Sequence, residues 1–550
     1  MKSGASLEEL LQYGSNGKLS DEDILELVRW DVVGRGVSFS TPFGRRALVY
    51  CDHFASAPAL GVIEEYIWRE VLPLYANTHT EATATGVHTS EMREAARETV
   101  RRCVHGHDAH IFFTGNGVTG AINQFIHMLG LERKKPSYLQ LIAHRRPVVF
   151  ISEMEHNANF LPWKQCDVIL VIISSRDDGL LDLDQLTGSL KKYKNHSMKV
   201  GAFTAGSNLT GIKQNVREIA QVLRNHGAIS FFDFAGVGPY VDIDARHFDA
   251  AAVSPHKFLG GPQTRGVLIV SKRLLRKMTS DDVEYIPYQV GGGIVSFAVR
   301  DSHRWLSHPE AREEAGTPAI VGDIRVGAVF AIKEAIGVAR IERLEESHWN
   351  YAKERLSRLP DVILHGSAKS DRVPVLSISV RVTRTKFAHC SLVSQLLNDL
   401  FGIQSRPGCM CAGMYAEMLL NIDSKPYTMM VQRYPMYKPG VTRLSLHYTM
   451  THDDVVFVMD AIEWISKHIA LLVRLYKCDL REERWVIKPQ VAMYRDRLDS
   501  EVASRAGIFE EAEKVLDIAA SCPAFMHAPP EKYEYLRWFA FESDLNRVDI

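Results

Sequence analysis

From about residue 148 the chain alternates short, continuous apolar runs with amphipathic stretches, and this alternation constrains its fold more than any other feature. PVVFIS, DVILVIIS, KVGAFTAG and AISFFDFA read as strands. LDQLTGSLKKYKN and NVREIAQVLRNHG, the second ended by glycine, read as helices. Strands that are apolar on both faces and separated by helices call for a mainly parallel sheet covered on both sides, an α/β fold. Ligands of such sheets bind beyond the carboxyl ends of the strands. The polar residues that follow each strand are therefore the first candidates for function.

The 550 residues suffice for two to four domains. Residues 1–45 read as a helical leader, with Ser20 as the cap of DEDILELVRWDV. Residues 46–330 form the large domain and 331–475 a smaller C-terminal α/β domain. The smaller domain opens on AVFAIKEAIGVARIERLEESHWNYAKERLSRL, which reads as one long helical segment. It continues with the strand VPVLSISVRV, a loop holding two neighbouring cysteines, the strand VTRLSLHYT and the helix DDVVFVMDAIEWISKHIALL. Residues 476–550, rich in charge and weak in pattern, read as an extension packed on the surface. Lys plus Arg (65) nearly cancels Asp plus Glu (66), which removes any global field that would favour nucleic acid or an anionic membrane. The N-terminal stretch lacks the apolar core of a signal peptide and the Arg-rich look of a transit peptide, and no apolar run approaches a membrane span. Eight cysteines in a chain of this length do not make a disulfide scaffold, so a reducing, cytoplasmic home is expected. Six are scattered, and Cys409 and Cys411 are separated by one residue.

In VSPHKFLGGPQTRGVLIV, Lys257 lies between an extended apolar segment and a Gly-Gly-Pro turn. Burial there favours the neutral, nucleophilic amine. Asp233 follows the strand AISFF, where a carboxylate alone would more often cap a turn. His156 follows PVVFIS, where a lone histidine is more often structural. IFFTGNGVTGAIN places Gly115 and Gly117 in a tight turn and Thr119 at a helix start, a common arrangement that also suits a phosphate. Taken singly, each is weak. Taken in order on one sheet they offer a phosphate cradle, a ring to stack on a flat ligand, a strand-end carboxylate and a desolvated lysine. Pyridoxal phosphate needs those four things: a phosphate site, a stacking partner, a partner for its pyridine nitrogen and a lysine for the Schiff base. A metal site is the poorer reading, because Cys409 and Cys411 are too close to supply the usual spaced pair and no partner cluster follows.

Seven segments together resemble class V aminotransferase-fold enzymes, and within them the cysteine desulfurase and selenocysteine lyase group: YCDHFASAP, GVTGAIN, EHNAN, SNLTG, VSPHK, REEAGTP and RPGCMCAG. The resemblance runs from about Tyr50 to about 475. It implies the PLP-dependent transferase fold (fold type I), with a mainly parallel seven-stranded sheet in the large domain and a smaller C-terminal α/β domain. It implies that Lys257 carries the cofactor and shuttles protons, that Val118, Thr119, Ser254 and His256 hold the phosphate, and that His156 stacks on the ring. Asp233 would pair with the ring nitrogen and Asn208 with the phenolic oxygen. Arg406 would clamp the substrate carboxylate, and Thr317 with the GGG loop would reach the phosphate of a partner subunit, giving a homodimer. Cys411, five residues after Arg406, would accept sulfur as a persulfide and release alanine, with Cys409 as the understudy and a sulfur-acceptor protein downstream. The activity implied is that of a PLP-dependent sulfurtransferase or lyase acting on L-cysteine or an analogue.

Two residues depart from the family pattern. Gly236 stands where the family's D-x-A-Q carries glutamine, and Asn157 where it carries a second histidine. Both bear on the substrate more than on the cofactor. Two other readings stay open on sequence grounds: another class V chemistry (aminotransferase, epimerase or β-lyase) with idle cysteines, and a non-catalytic PLP-binding dimeric partner. The intact lysine, aspartate and arginine speak against the last.

Overall fold

The computed structural model describes residues 21–78, 80, 82–131, 146–278, 286–422, 424–479, 484–492, 504–522 and 537–545. The chain divides into two compact units, one of residues 1–33, 54–208 and 212–342, the other of residues 34–53, 209–211 and 343–550.

The first unit is built on seven strands: β1 (Ala109–Thr114), β2 (Val148–Ser152), β3 (Ile169–Ile173), β4 (Lys199–Thr204), β5 (Ile229–Asp233), β6 (Ala250–Val253) and β7 (Gly266–Ser271). Their order is β1-β7-β6-β5-β4-β2-β3. All neighbours run parallel except β7, which is antiparallel to both β6 and β1. The sheet is thus mainly parallel and seven-stranded. Every residue of β2, β4 and β6 is buried, as expected of strands covered on both faces, whereas β3 at the edge is only partly buried. The helices of this unit include α1 (Asp21–Asp31), α2 (Ala84–Cys103), α3 (Gly117–Met128), α4 (Asn157–Lys164), α5 (Leu183–Lys192), α6 (Val216–Asn225) and α7 (Ile320–Ile336). The expected cap Ser20 lies outside the described residues. Because β2, β4, β5 and β6 point the same way, the residues after Ser152, Thr204, Asp233 and Val253 emerge at one end of the sheet.

The second unit carries a four-stranded antiparallel sheet of β8 (Val362–Leu364), β9 (Val375–Val380), β10 (Arg406–Gly408) and β11 (Val441–Ser445), ordered β8-β9-β11-β10. Its helices include α8 (Val338–Ser357), α9 (Cys390–Phe401), α10 (His452–Leu472) and α11 (Arg505–Ser521). The expected single helix after residue 330 is two helices, α7 and α8. The break falls at Gly337, whose φ of +87° is left-handed and ends the α-helical path.

Two boundaries differ from the sequence reading. The hairpin Ser38–Thr41 and Gly44–Ala47 belongs to the second unit rather than to a leader. Arg46, 1% exposed, donates to Leu400 O at 2.6 Å and pairs with Glu511 at 2.8 Å, while Thr41 donates to Asp399 O at 2.7 Å. The described residues of the C-terminal extension contribute to the core as well as to the surface. Tyr476, Trp485, Ile508, Val515, Phe539 and Phe541 are buried in one apolar cluster with α9 and α10. Among its described charges, Lys488 pairs with Glu542 and Arg537 with Asp544. Among the described residues no helix is long and apolar enough to cross a membrane, and no group of His, Cys, Asp and Glu is arranged to hold a metal ion.

Candidate active site

At the end of β1 the chain turns through Gly115 and Asn116 into α3. Gly117 has φ +57°, and a Cβ placed on it would lie 2.9 Å from Ser254 Oγ and 3.0 Å from His256 Cε1. Only glycine allows both that backbone and that approach. The turn is thereby pressed against the segment that bears Lys257. The Val118 N–H donates to Ser254 Oγ at 3.0 Å, so Val118 contributes by orienting the serine hydroxyl, and Thr119 is exposed in the first turn of α3. Val118, Thr119, Ser254 and His256 are thus gathered at one helix start, where amide dipoles favour an anion.

Lys257 ends a short 3-10 turn, Pro255–Lys257, and is half-buried. Its N–H donates to Ser254 O at 3.0 Å. His256 is pushed down to about 4, first by burial and then by the Lys257 charge, and stays neutral at pH 7. Asp233 ends β5, is 3% exposed, and accepts the Ala235 N–H at 2.8 Å. Burial raises it to about 6, while the Ala235 bond and the Lys257 ammonium act in the opposite direction. The carboxylate and the lysine therefore sense each other within one apolar strand end.

His156 caps α4: its Nδ1 accepts the Ala158 N–H at 3.0 Å, which fixes the ring's orientation and leaves Nε2 as the protonated nitrogen of a neutral ring. Asn208 is buried after β4. A Cβ at Gly236 would lie 3.1 Å from Gly206 O and 3.8 Å from the Asn208 Cα, so the position held by glutamine in the family pattern sits directly against the Asn208 segment. Thr317 is exposed and its Oγ1 accepts from Asn77 Nδ2 at 3.1 Å. The Gly316 N–H donates to Gly292 O at 2.8 Å, which joins the GGG loop to the AGTP turn. Below that turn Glu314 is buried, paired with Arg97 at 2.9 Å and accepting the Phe113 N–H at 3.1 Å.

The second unit holds the other candidates. Arg406 starts β10 and faces Arg443 of β11 in register. Arg443 donates to Asp52 Oδ1 at 2.8 Å, and Arg406 stands 3.7 Å from Asp52 Oδ2 with about half of its side chain exposed. Asp52 is thus held tightly by Arg443 and only loosely by Arg406, which leaves Arg406 available to a second carboxylate. Just beyond β10, the Ala412 N–H donates to Cys409 O at 2.9 Å, closing a turn whose two central residues, Met410 (φ +52°) and Cys411 (φ +56°), are both left-handed. Met410 is buried, Cys409 half-buried and Cys411 exposed.

Three residues escaped the sequence reading. Asp52 lies inside the segment YCDHFASAP. Arg443, 3% exposed in side chain, interrupts the apolar strand VTRLSL, which is a legible signal for a buried cation. Glu155 directly precedes His156 and is 1% exposed, and nothing local in the sequence marks its neutral donor partners.

Comparison with known proteins places the chain in one family. The family model for aminotransferase class V matches residues 49–458. A probable cysteine desulfurase of Halalkalibacterium halodurans is 30% identical over 377 residues, 66% of this chain and 84% of that protein. One from Staphylococcus aureus is 30% identical over 392 residues, 69% of this chain and 86% of that protein. In fold, the apo structure of a cysteine desulfurase from Thermococcus onnurineus superposes with a TM-score of 0.62 at 24% identity, covering 76% of this chain and 95% of its own. The Escherichia coli cysteine desulfurase CsdA gives 0.62 at 20% identity, covering 82% and 99%. The chain belongs to the class V aminotransferase family and is an enzyme of the pyridoxal-phosphate-dependent kind.

Proposed function

We propose that the protein is a cysteine desulfurase-like enzyme that takes sulfur from L-cysteine, or selenium from its analogue, and leaves alanine. The observation that carries this reading is the turn at Cys409–Ala412, which presents Cys411 to solvent just beyond the strand of Arg406. The residues of the first unit fit pyridoxal phosphate. The cradle at Gly117 is one that any Cβ would fill, and Asp233 is a buried strand-end acid of the kind a pyridine nitrogen needs. Thr119, Ser254 and His256 would hold the phosphate, His156 the ring face, Asn208 the phenolic oxygen, and Lys257 the aldehyde carbon. When bound, the cofactor supplies an electron sink for charge developing at the substrate's α-carbon.

The chain's own residues do the rest. Arg406, supported by Arg443, binds the substrate carboxylate. The Lys257 amine takes the proton from the α-carbon and later returns protons to the carbon skeleton. The Cys411 thiolate forms an S–S bond with the substrate sulfur while the carbon–sulfur bond breaks, and the skeleton takes up a proton in place of sulfur and leaves as alanine. Sulfur then passes from the Cys411 persulfide to a thiol or an acceptor protein. A homodimer is part of the proposal, supported by the apolar side chains that the first unit leaves exposed.

Purified, cofactor-loaded protein incubated with L-cysteine should release alanine, with sulfide in the presence of a reducing thiol. Cys411→Ser should still bind cofactor and substrate yet lose alanine formation by about a thousandfold or more, the cost of removing a covalent nucleophile. Cys409→Ser should cost far less. If Cys411→Ser turns over at the parent rate, sulfur transfer is wrong, and elimination, epimerisation or transamination on the same cofactor takes its place.

A further inference from the structure

Glu155 is a buried acid without a role in the chemistry proposed so far, and every group hydrogen-bonded to it is a donor. Its Oε1 accepts the Ser152 hydroxyl at 2.5 Å, the Thr204 N–H at 2.9 Å and the Ser152 N–H at 3.4 Å, and its Oε2 accepts Asn159 Nδ2 at 2.7 Å. Asn159 is itself held, donating to Ala202 O at 3.2 Å and accepting from Trp163 Nε1 at 3.0 Å. Ser152 is the last residue of β2, Thr204 the last of β4, and Asn159 lies in the first turn of α4. One carboxylate thus joins three segments at the end of the sheet where the candidate cofactor residues emerge.

Two of those junctions bear directly on the site. His156 is the next residue after Glu155 and begins α4. Thr204 pairs in register with Asp233 across β4 and β5, and the following amide, Ala205 N–H, donates to Asp233 O at 2.8 Å. The same carboxylate therefore sets where the ring of His156 starts and where the strand beside Asp233 ends. Glutamine, of equal size, would place an NH2 group against donors on one side, so the geometry requires an acid and not merely a side chain of that length.

We propose that Glu155 is a positioning residue of the cofactor site, locking His156 and Asp233 into the mutual geometry that a ring held between them requires. This rests on the pyridoxal phosphate reading. The carboxylate's hydrogen bonds all go to protein groups, and its effect passes through the backbone of Thr204 and the start of α4.

The test compares the parent with Glu155→Gln and, as a milder variant that removes one donor to the carboxylate and the acceptor of the Met154 N–H, Ser152→Ala. Visible circular dichroism of bound pyridoxal phosphate reports the ring's setting, and a pyridoxal phosphate titration reports its Kd. In the cofactor-free proteins, amide exchange at Ala158, Thr204 and Ala205 reports the clamp itself. For Glu155→Gln we expect an altered or inverted visible band, a Kd weakened about tenfold or more, and faster exchange at those three amides with the β6 and β7 amides unchanged. Ser152→Ala should move the same readouts in the same direction by a smaller factor, and carries the test if Glu155→Gln does not fold. A variant that lowers the melting temperature but leaves the visible band and Kd within twofold of the parent would make Glu155 a structural brace only, and the proposal would be wrong. A parent that fails to bind pyridoxal phosphate overturns the cofactor reading first and this inference with it, whereas a binding parent with an indifferent Glu155→Gln overturns this inference alone.

Discussion

Burial forces Asp233 upward, from 3.8 to about 6. Desolvation is the largest cause, and it outweighs the Ala235 hydrogen bond and the Lys257 charge that pull downward. A folded state that holds a proton more tightly than the unfolded chain gains stability below the unfolded value and loses it as pH rises through the folded one. The cofactor-free protein should therefore lose stability between about pH 4 and pH 6, by up to on the order of 3 kcal/mol from this acid. Asp233→Asn should flatten that part of the profile, as read from denaturant midpoints across pH. A midpoint that climbs between about pH 4 and pH 6 through this group would contradict the assignment. At Lys257 the expectation is simpler. Borohydride should fix pyridoxal phosphate to this lysine, and peptide mapping of the label to any other lysine would remove Lys257 from the site.

At the level of elements, the turn after β10 places two successive non-glycine residues in the left-handed region, each costing on the order of 1 kcal/mol or more. Met410 is buried and anchors the turn, and Cys411 is displayed on it. Cys411→Gly should raise stability by about 1 kcal/mol over Cys411→Ala, because glycine alone relieves that backbone, while both abolish alanine formation. Equal melting temperatures for the two would mean that the turn carries no such strain. The cysteine loop, the strands from PVVFIS to AISFFDFA and the strand-end acid Asp233 were legible because each is a local pattern: a continuous apolar run, a polar residue after it, a glycine turn before a helix. What was not legible depends on distant partners. Arg46 looks like a surface charge until Glu511 and Leu400 O are brought to it across the second unit. Residues 476–550 read as an extension packed on the surface because charge dominates their pattern, whereas Lys488 and Arg537 meet Glu542 and Asp544 only once folded. The apolar rhythm also runs straight through Gly337, so that only its positive φ separates α7 from α8. Glu155, too, announces itself only when Thr204, 49 residues away, donates to it.

For the whole molecule, the strongest expectation concerns what covers the first unit. Trp68 is 72% exposed, Val299 65%, Val290 65% and Phe297 47%, and Leu72, Leu74 and Tyr75 lie open nearby in sequence to Trp68. Isolated exposed hydrophobics need no explanation, but large aromatic and β-branched side chains at this density mark surfaces that associate. Two of them, Phe297 and Val299, lie in the hairpin of Val295–Val299 and Ser302–Trp305, which directly follows the GGG loop. That loop in turn is hydrogen-bonded to Gly316 beside Thr317. A second copy seated on the hairpin would thus be linked, through two short turns, to the residue expected to reach a neighbouring phosphate. The protein should sediment as a dimer at micromolar concentration, with an interface on the order of 2,000 Å² or more, as obligate pairs bury. The pair Phe297→Asp and Val299→Asp should yield monomers, and those monomers should bind pyridoxal phosphate at least tenfold more weakly, because Thr317 then acts on no partner. Monomers that retain the parent's affinity would separate assembly from cofactor binding, and each subunit would then have to complete its own phosphate site from Thr119, Ser254 and His256 alone.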